Sequence, residues 1–340
     1  MSSLFLLATF VTLFSNFCLA QVNKPTLLPI QLNSKVGYID KIGKIVIKPQ
    51  YDYGWRFSEG FACVVVNGKT GFIDGAGSYL IKPQFNSTYG CYTEFREGFA
   101  PVSIGDYSKI KGKWLDKSKW GFVDAKGKVI FFPGVKFLSG FREGLAFFKK
   151  GNLTGYMDKN FNVVIKPKFK SAGDFYEGRA RATDIDGSEY YIDRNGRKLF
   201  ENFNGCDFQN GMACYQVKGK WGYINLSGKV VIEAKFDEGH YFSNNGLAGV
   251  KVGNKWGFIN KSGEFVIKPQ FDDADEFREG LASVVINGKK GFINESGMMV
   301  ITPQFDKWIY WFENGISEIR IDGKIGYIDK SGRFIWQPSK

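Results

Sequence analysis

One phrase recurs nine times between Lys35 and the C-terminus, and it limits the folds open to this chain more than any other feature. It reads Lys-x-Gly-(Phe/Tyr)-Ile-(Asp/Asn)-x-x-Gly-Lys-x-Val-Ile-Lys-Pro-x-Phe and, after a loop, Phe-x-Glu-Gly-x-Ala. Aligned on its first glycine slot, the copies fall at Gly37, Gly71, Gly121, Gly155, Tyr190, Gly222, Gly257, Gly291 and Gly326. The steps run from 32 to 35 residues, apart from one of 50 that carries an insertion near 103–118. A period of this length means an array of one supersecondary unit rather than two independent domains.

Each unit reads as β structure. In Lys255-Trp-Gly-Phe-Ile-Asn260-Lys-Ser-Gly263 two β-forming runs flank an Asx-type turn closed by a glycine. Asp and Asn exchange freely at that turn position, so the column is turn chemistry and not a set of metal ligands. A proline such as Pro49 or Pro269 is expected to end the second strand, because it has no N–H to give a ladder. A third strand follows the Glu-Gly pair, which makes each unit a three-stranded antiparallel meander.

The middle strand carries an aromatic column (Tyr38, Phe72, Phe122 and equivalents) followed directly by an aliphatic one (Ile39, Ile73, Val123). Neighbouring strand residues face opposite ways, so both faces need cover and the units must stack. The expected fold is an all-β repeat protein of nine meanders of about 34 residues in an open β-solenoid-like array; a closed β-propeller-like ring is the alternative. The open form is preferred because 21–34 reads as an N-terminal capping strand and the chain ends on a complete hairpin, leaving no strand for the termini to share.

Before the array, an uncharged apolar run from Leu4 to Phe14 leads to Cys18-Leu19-Ala20, which resembles a signal peptide comprising residues 1–20. The run is too short to span a bilayer, and no other stretch could do so. The chain is therefore expected to be exported, whether periplasmic, on the outer surface or secreted. Its remaining cysteines are Cys63, Cys91, Cys206 and Cys214, and the close pair Cys206 and Cys214 is the favoured disulfide. The formal charge of +12 favours anionic polymers of the envelope, such as an acidic polysaccharide, over nucleic acid.

Signs of catalysis are weak. The single histidine, His240, reads as a surface loop residue, and no nucleophile elbow, phosphate loop or metal signature accompanies it. Glu59, Glu97, Glu143, Glu177 and Glu279 precede a glycine in a slot that Asn210, Asn245 and Asn314 also occupy, which suits capping of backbone N–H groups better than calcium. Trp120, Trp221 and Trp256 share a column that elsewhere holds Thr70, Thr154, Lys290 and Glu189. Either these rings lie over the adjacent hairpin, or the column faces solvent in part and the three tryptophans are ligand-binding candidates among lysines. Trp308, Tyr310 and Trp311 form a second aromatic group.

With Lys119-Trp-Gly-Phe-Val-Asp124, Lys220-Trp-Gly-Tyr-Ile-Asn225 and Lys255-Trp-Gly-Phe-Ile-Asn260, each followed by x-x-Gly-x-x-Val-Ile or a close variant, the chain resembles the bacterial WG-repeat family over residues 35–340. The resemblance implies an all-β repeat protein, often envelope-associated, with no catalytic reaction and no cofactor. Residues and resemblance together lead to the expectation of an exported, non-enzymatic scaffold that binds a protein partner or an anionic envelope glycan; a structural, self-assembling array is the alternative.

Overall fold

The computed structural model describes residues 27–86, 93–105, 107–110, 113–116, 118–201, 204–306 and 311–337. The expected signal segment, Cys91, Trp308 and Tyr310 lie outside them. Among the described residues all regular elements are strands, in nine small antiparallel sheets and one extra hairpin. The nine sheets are the blades of a β-propeller. Blade 2 shows the full pattern: Tyr53–Gly54, Phe61–Val66, Lys69–Asp74 and Tyr79–Asn86, paired in chain order. Numbered along the chain, blades 1 to 9 occupy 28–51, 53–86, 99–131, 135–169, 171–201, 204–236, 238–271, 273–305 and 316–336.

Two expectations need correction here. The unit is four-stranded in six of these blades, because the loop after the outer strand contributes a short innermost strand, as at Tyr53–Gly54 or Glu238–Gly239. A two-residue strand has no alternating pattern to reveal it. The proline, in turn, lies inside its strand at Pro49, Pro83, Pro167, Pro269 and Pro303, whereas at Pro133 the strand Val129–Phe131 has already ended. Pro49 lies inside Ile45–Tyr51, at a bulge where Tyr38 pairs with Ile47 and Val36 with Tyr51. The bulged strand approaches Gly37 so closely that a Cβ there would sit 2.5 Å from the Pro49 nitrogen. Blade 5 supports this coupling: Tyr190 fills the glycine slot, no proline follows, and Glu201 pairs directly opposite it.

The two core columns are both buried, as the alternation required: Tyr38, Phe258 and Tyr327 on one face, Ile39, Ile259 and Ile328 on the other. The aromatic face of one blade packs on the aliphatic face of the next, with Tyr38 and Ile47 of blade 1 meeting Ala62 and Ile73 of blade 2.

The array closes on itself, so the open solenoid is overturned. Tyr327 of blade 9 clusters with Leu28, Ile30 and Ile39 of blade 1, the same face-to-face contact made elsewhere between neighbours. Arg56 bridges Glu313 at 3.1 Å and Glu318 at 3.4 Å across the seam. Among the described residues closure needs no shared strand: Leu28–Leu32 is the first of the three strands of blade 1, and side-chain contacts across the seam join the two ends. The insertion contributes the hairpin Tyr107–Ile110 and Lys113–Asp116 between two strands of blade 3.

Candidate functional site

The repeated polar residues mostly build turns. Asp40 accepts N–H bonds from Ile42 and Lys44 at 3.0 and 2.9 Å, and Asn260 does the same for Ser262 and Glu264. The Glu-Gly column lies in tight hairpin turns, with Glu59 at φ 52° and Gly60 at φ 90°. Its carboxylates reach the next blade: Glu59 accepts from the N–H groups of Glu97 and Gly98 at 2.7 and 2.8 Å. Lysines at the start of the third strands are tied to aspartates, Lys35 to Asp52, Lys220 to Asp237 and Lys255 to Asp272, all near 2.5 Å. These pairs are exposed and hold little energy, but they remove those lysines from an open cationic stripe.

The tryptophan column is not a solvent-facing stripe. Trp256 is buried, with the His240 ring packed against it at 4.3 Å and tilted by 32°. Trp120 and Trp221 are half-buried, Trp120 against Phe137 at 5.1 Å and Trp221 against the core of blades 6 and 7. Thr70, Thr154 and Lys290 in the same slot are buried as well. The slot accepts such variety because its neighbours change with it: Lys290 finds the Asp275 carboxylate, which also takes the Ser283 hydroxyl. His240 is correspondingly no surface residue; burial holds its imidazole below the usual value, and Nδ1 has no hydrogen-bond partner. The Cys206 and Cys214 sulfurs are bonded, joining the segment after the innermost strand of blade 6 to its second strand, and Cys63 is also disulfide-bonded.

Charged residues converge on the ring axis. Arg96 of blade 3 and Arg142 of blade 4 both approach Asp174 of blade 5, at 3.9 and 3.7 Å, a meeting of non-neighbouring blades that only the axis permits. Burial raises the carboxyl groups of Asp174 and Asp207 above their ordinary range, against the opposing pull of Arg142 on both, Arg96 on Asp174 and Arg181 on Asp207. Among the described residues no group of three or more His, Cys, Asp or Glu is placed to hold a metal ion.

A pocket of about 590 Å³ opens on the face that carries the Glu-Gly turns, across blades 6 to 9. Its lining includes Ser243, Asn244, Asn245, Glu279, Gly280 and the exposed ring of Trp311, over which the Arg278 guanidinium sits at 4.0 Å. Of these, Glu279 with Gly280 and Asn245 lie in the Glu-Gly column and Trp311 in the second aromatic group, whereas Ser243 and Asn244 belong to neither. The signal was present in blade 7, whose turn, Ser243-Asn244-Asn245-Gly246, is one residue longer than Arg278-Glu279-Gly280.

The model of the WG containing repeat matches eight times, over residues 37–69, 71–114, 120–153, 155–184, 191–221, 221–256, 256–289 and 291–324. The chain belongs to the WG-repeat family. This WG-repeat ring is similar in fold to a crystal structure of a eukaryotic initiation factor, with a TM-score of 0.62 at 10% identity, covering 91% of this chain and 94% of that one. A dihydro-heme d1 dehydrogenase, NirN, solved in complex with DHE, matches with a TM-score of 0.45 at 10% identity over 81% of this chain and 71% of that one. Comparison with curated proteins finds no match. At 10% identity the likeness to the initiation factor speaks for the fold alone. The WG-repeat ring is thus a nine-bladed β-propeller scaffold.

Proposed function

We propose that this WG-repeat propeller is an exported, non-enzymatic binding scaffold that takes an anionic envelope glycan at the pocket spanning blades 6 to 9. The observation that carries the reading is the pocket's place: it lies where the turns depart from the repeat and where polar amides and an exposed tryptophan replace the uniform turn surface. Ligand pockets combine an apolar platform with a few convergent polar groups, and Trp311 with Asn244 and Asn245 supplies both. The formal charge of +12 adds long-range attraction for anions. A non-enzymatic role is supported by His240, which packs against Trp256 without a hydrogen-bond partner at Nδ1.

Self-assembly through blade edges is disfavoured by the outer strands, which carry exposed Lys48, Lys82, Lys166 and Lys268 beside prolines. The test is a glycan array probed with residues 21–340 and with the Trp311→Ala variant. Anionic glycans should bind the wild type, weaken with added salt, and weaken further in the variant. Equal binding by both proteins would remove the pocket from the reading.

A further inference from the structure

The turn carboxylates form a relay around the ring. Glu59 holds the turn of blade 3, Glu97 the Gly144 N–H of blade 4 at 2.9 Å, and Glu143 the Glu177 and Gly178 N–H groups of blade 5 at 2.5 and 2.9 Å. Glu177 holds Gly211 of blade 6 at 2.9 Å, and Glu279 holds Asn314 and Gly315 of blade 9 at 2.6 and 2.9 Å. Between these the relay stops. Asn210 of blade 6 turns its amide to the Phe242 carbonyl, and Asn245 of blade 7 accepts from Leu247 within its own turn. Blade 8 therefore receives no carboxylate from blade 7, although its turn has the conformation of the others: Glu279 at φ 51° and Gly280 at φ 85°, against 51° and 92° for Glu97 and Gly98.

Resting on the pocket reading above, we propose that the N–H groups of Glu279 and Gly280 are the receptor for a ligand carboxylate, that of an acidic sugar of the uronate class. The chain itself shows the recognition chemistry, since the same two N–H groups hold a carboxylate in other turns. Both residues line the pocket. A second, independent observation lies beside them: Ser243 also lines the pocket and is 7% exposed, and its buried hydroxyl oxygen has no hydrogen-bond partner. A buried hydroxyl without a partner is costly unless a ligand satisfies it. Amides of Asn244 and Asn245, that hydroxyl and the apolar surface of Trp311 match the hydroxyls and ring of a sugar better than a peptide terminus.

The other pocket carboxylates leave room for an anion. Glu279 is spent on the turn of blade 9 and on Lys330 at 3.2 Å, and Glu313 on Arg56; burial raises the Glu276 carboxyl above its ordinary range. One group departs from its equivalents. Lys159, Arg194 and Lys330 each stand beside the glutamate of the preceding turn, at 3.6, 3.6 and 3.2 Å, and the matching position in blade 8 is Glu295.

The experiment uses residues 21–340, oligogalacturonate, its methyl ester and a peptide with a free C-terminal carboxylate, titrated calorimetrically. Oligogalacturonate should bind at least about tenfold more tightly than the ester, the value of a charge-assisted hydrogen bond. Replacing Asn244 and Asn245 together by one glutamate restores the repeat turn and supplies the missing carboxylate from within; it should abolish that preference while circular dichroism and melting stay those of the wild type. Glu295→Lys should tighten oligogalacturonate binding by about twofold to fivefold, the scale of an exposed ion pair. Equal affinity for acid and ester, or loss of binding only in Trp311→Ala, would overturn the carboxylate receptor while leaving the pocket in place. Tighter binding of the peptide than of oligogalacturonate would overturn the sugar, and a Glu295→Lys variant no tighter than the wild type counts against the receptor even if the turn replacement fails to fold.

Discussion

The Tyr327 hydroxyl of blade 9 donates a 2.7 Å hydrogen bond to the carbonyl of Pro29 in blade 1, 298 residues away. The bond repeats an internal one. Tyr38 donates to Trp55, Tyr156 to Gly173, Tyr191 to Cys206 and Tyr223 to His240, each from one blade to the inner part of the next. At the seam the same device lands on Leu28–Leu32, the first strand of blade 1. The ends of the chain are thus joined by the interaction that joins its neighbours, and burial raises the phenol groups involved far above their ordinary value.

Tyr327→Phe should therefore cost about 1–2 kcal/mol, the loss of one hydrogen bond with a carbonyl left short of a partner. Tyr156→Phe, inside the ring, should cost a similar amount. Urea midpoints of the two variants provide the check. A Tyr327→Phe protein as stable as the wild type, beside a weakened Tyr156→Phe, would mean that the seam contributes nothing to stability.

Trp256→Thr should behave as a core truncation. Trp256 is 3% exposed and its ring packs against His240, so its loss leaves a cavity beside a half-buried imidazole. Aromatic truncations of this kind cost about 3–5 kcal/mol. Trp221→Thr, at a half-buried position of the same column, should cost less. Denaturant unfolding followed by near-ultraviolet circular dichroism distinguishes them, and equal small losses would restore the solvent-facing column.

How far the fold could be read from sequence depends on which side chains carry it. The aromatic and aliphatic columns declared a sandwiched strand because Tyr38 and Ile39 are adjacent and both apolar, and the free exchange of Asp with Asn declared a turn. Closure was not legible, since Leu28 and Ile30 look the same whether they cap an array or meet Tyr327. Variation at Trp256, Thr154 and Lys290 suggested exposure, yet each is buried, because packing there is decided by neighbours such as His240 and Asp275 that no column reveals. The pocket stayed hidden for the opposite reason: it is built from what the blade 7 turn lacks.

Gly257→Ala should destabilise by about 1–3 kcal/mol, the range for overpacking, since a Cβ would lie 2.5 Å from the Ile267 carbonyl oxygen and 2.6 Å from the Pro269 nitrogen. At Gly68 the added methyl meets nothing within 4 Å, and only its φ of 71° resists substitution. Gly68→Ala should then cost about 1 kcal/mol. Thermal melts of the pair test whether the bulged outer strand is rigid; a harmless Gly257→Ala would show that the strand yields.

Acid should act in two opposite ways. Burial raises Asp174, Asp207 and Glu276 in the folded ring, so their contribution to stability is fully present below the unfolded values of about 4 and is lost as pH rises through the raised values. Asp52, Asp237 and Asp306 are lowered, by Lys35, Lys220 and Lys289 respectively and by backbone N–H groups. Their contribution is present above about pH 4 and disappears as pH falls through the lowered values. Acidification from neutrality toward pH 4 should accordingly stabilise the ring through these three buried carboxylates before the exposed aspartate–lysine pairs begin to fail below it. Asp207→Asn removes one of these buried carboxylates, so its melting temperature should gain less than that of the wild type over the upper window, while both proteins fall together below pH 4. Melting curves that run parallel from pH 7 to pH 4 would show that Asp207 titrates as an ordinary exposed carboxylate.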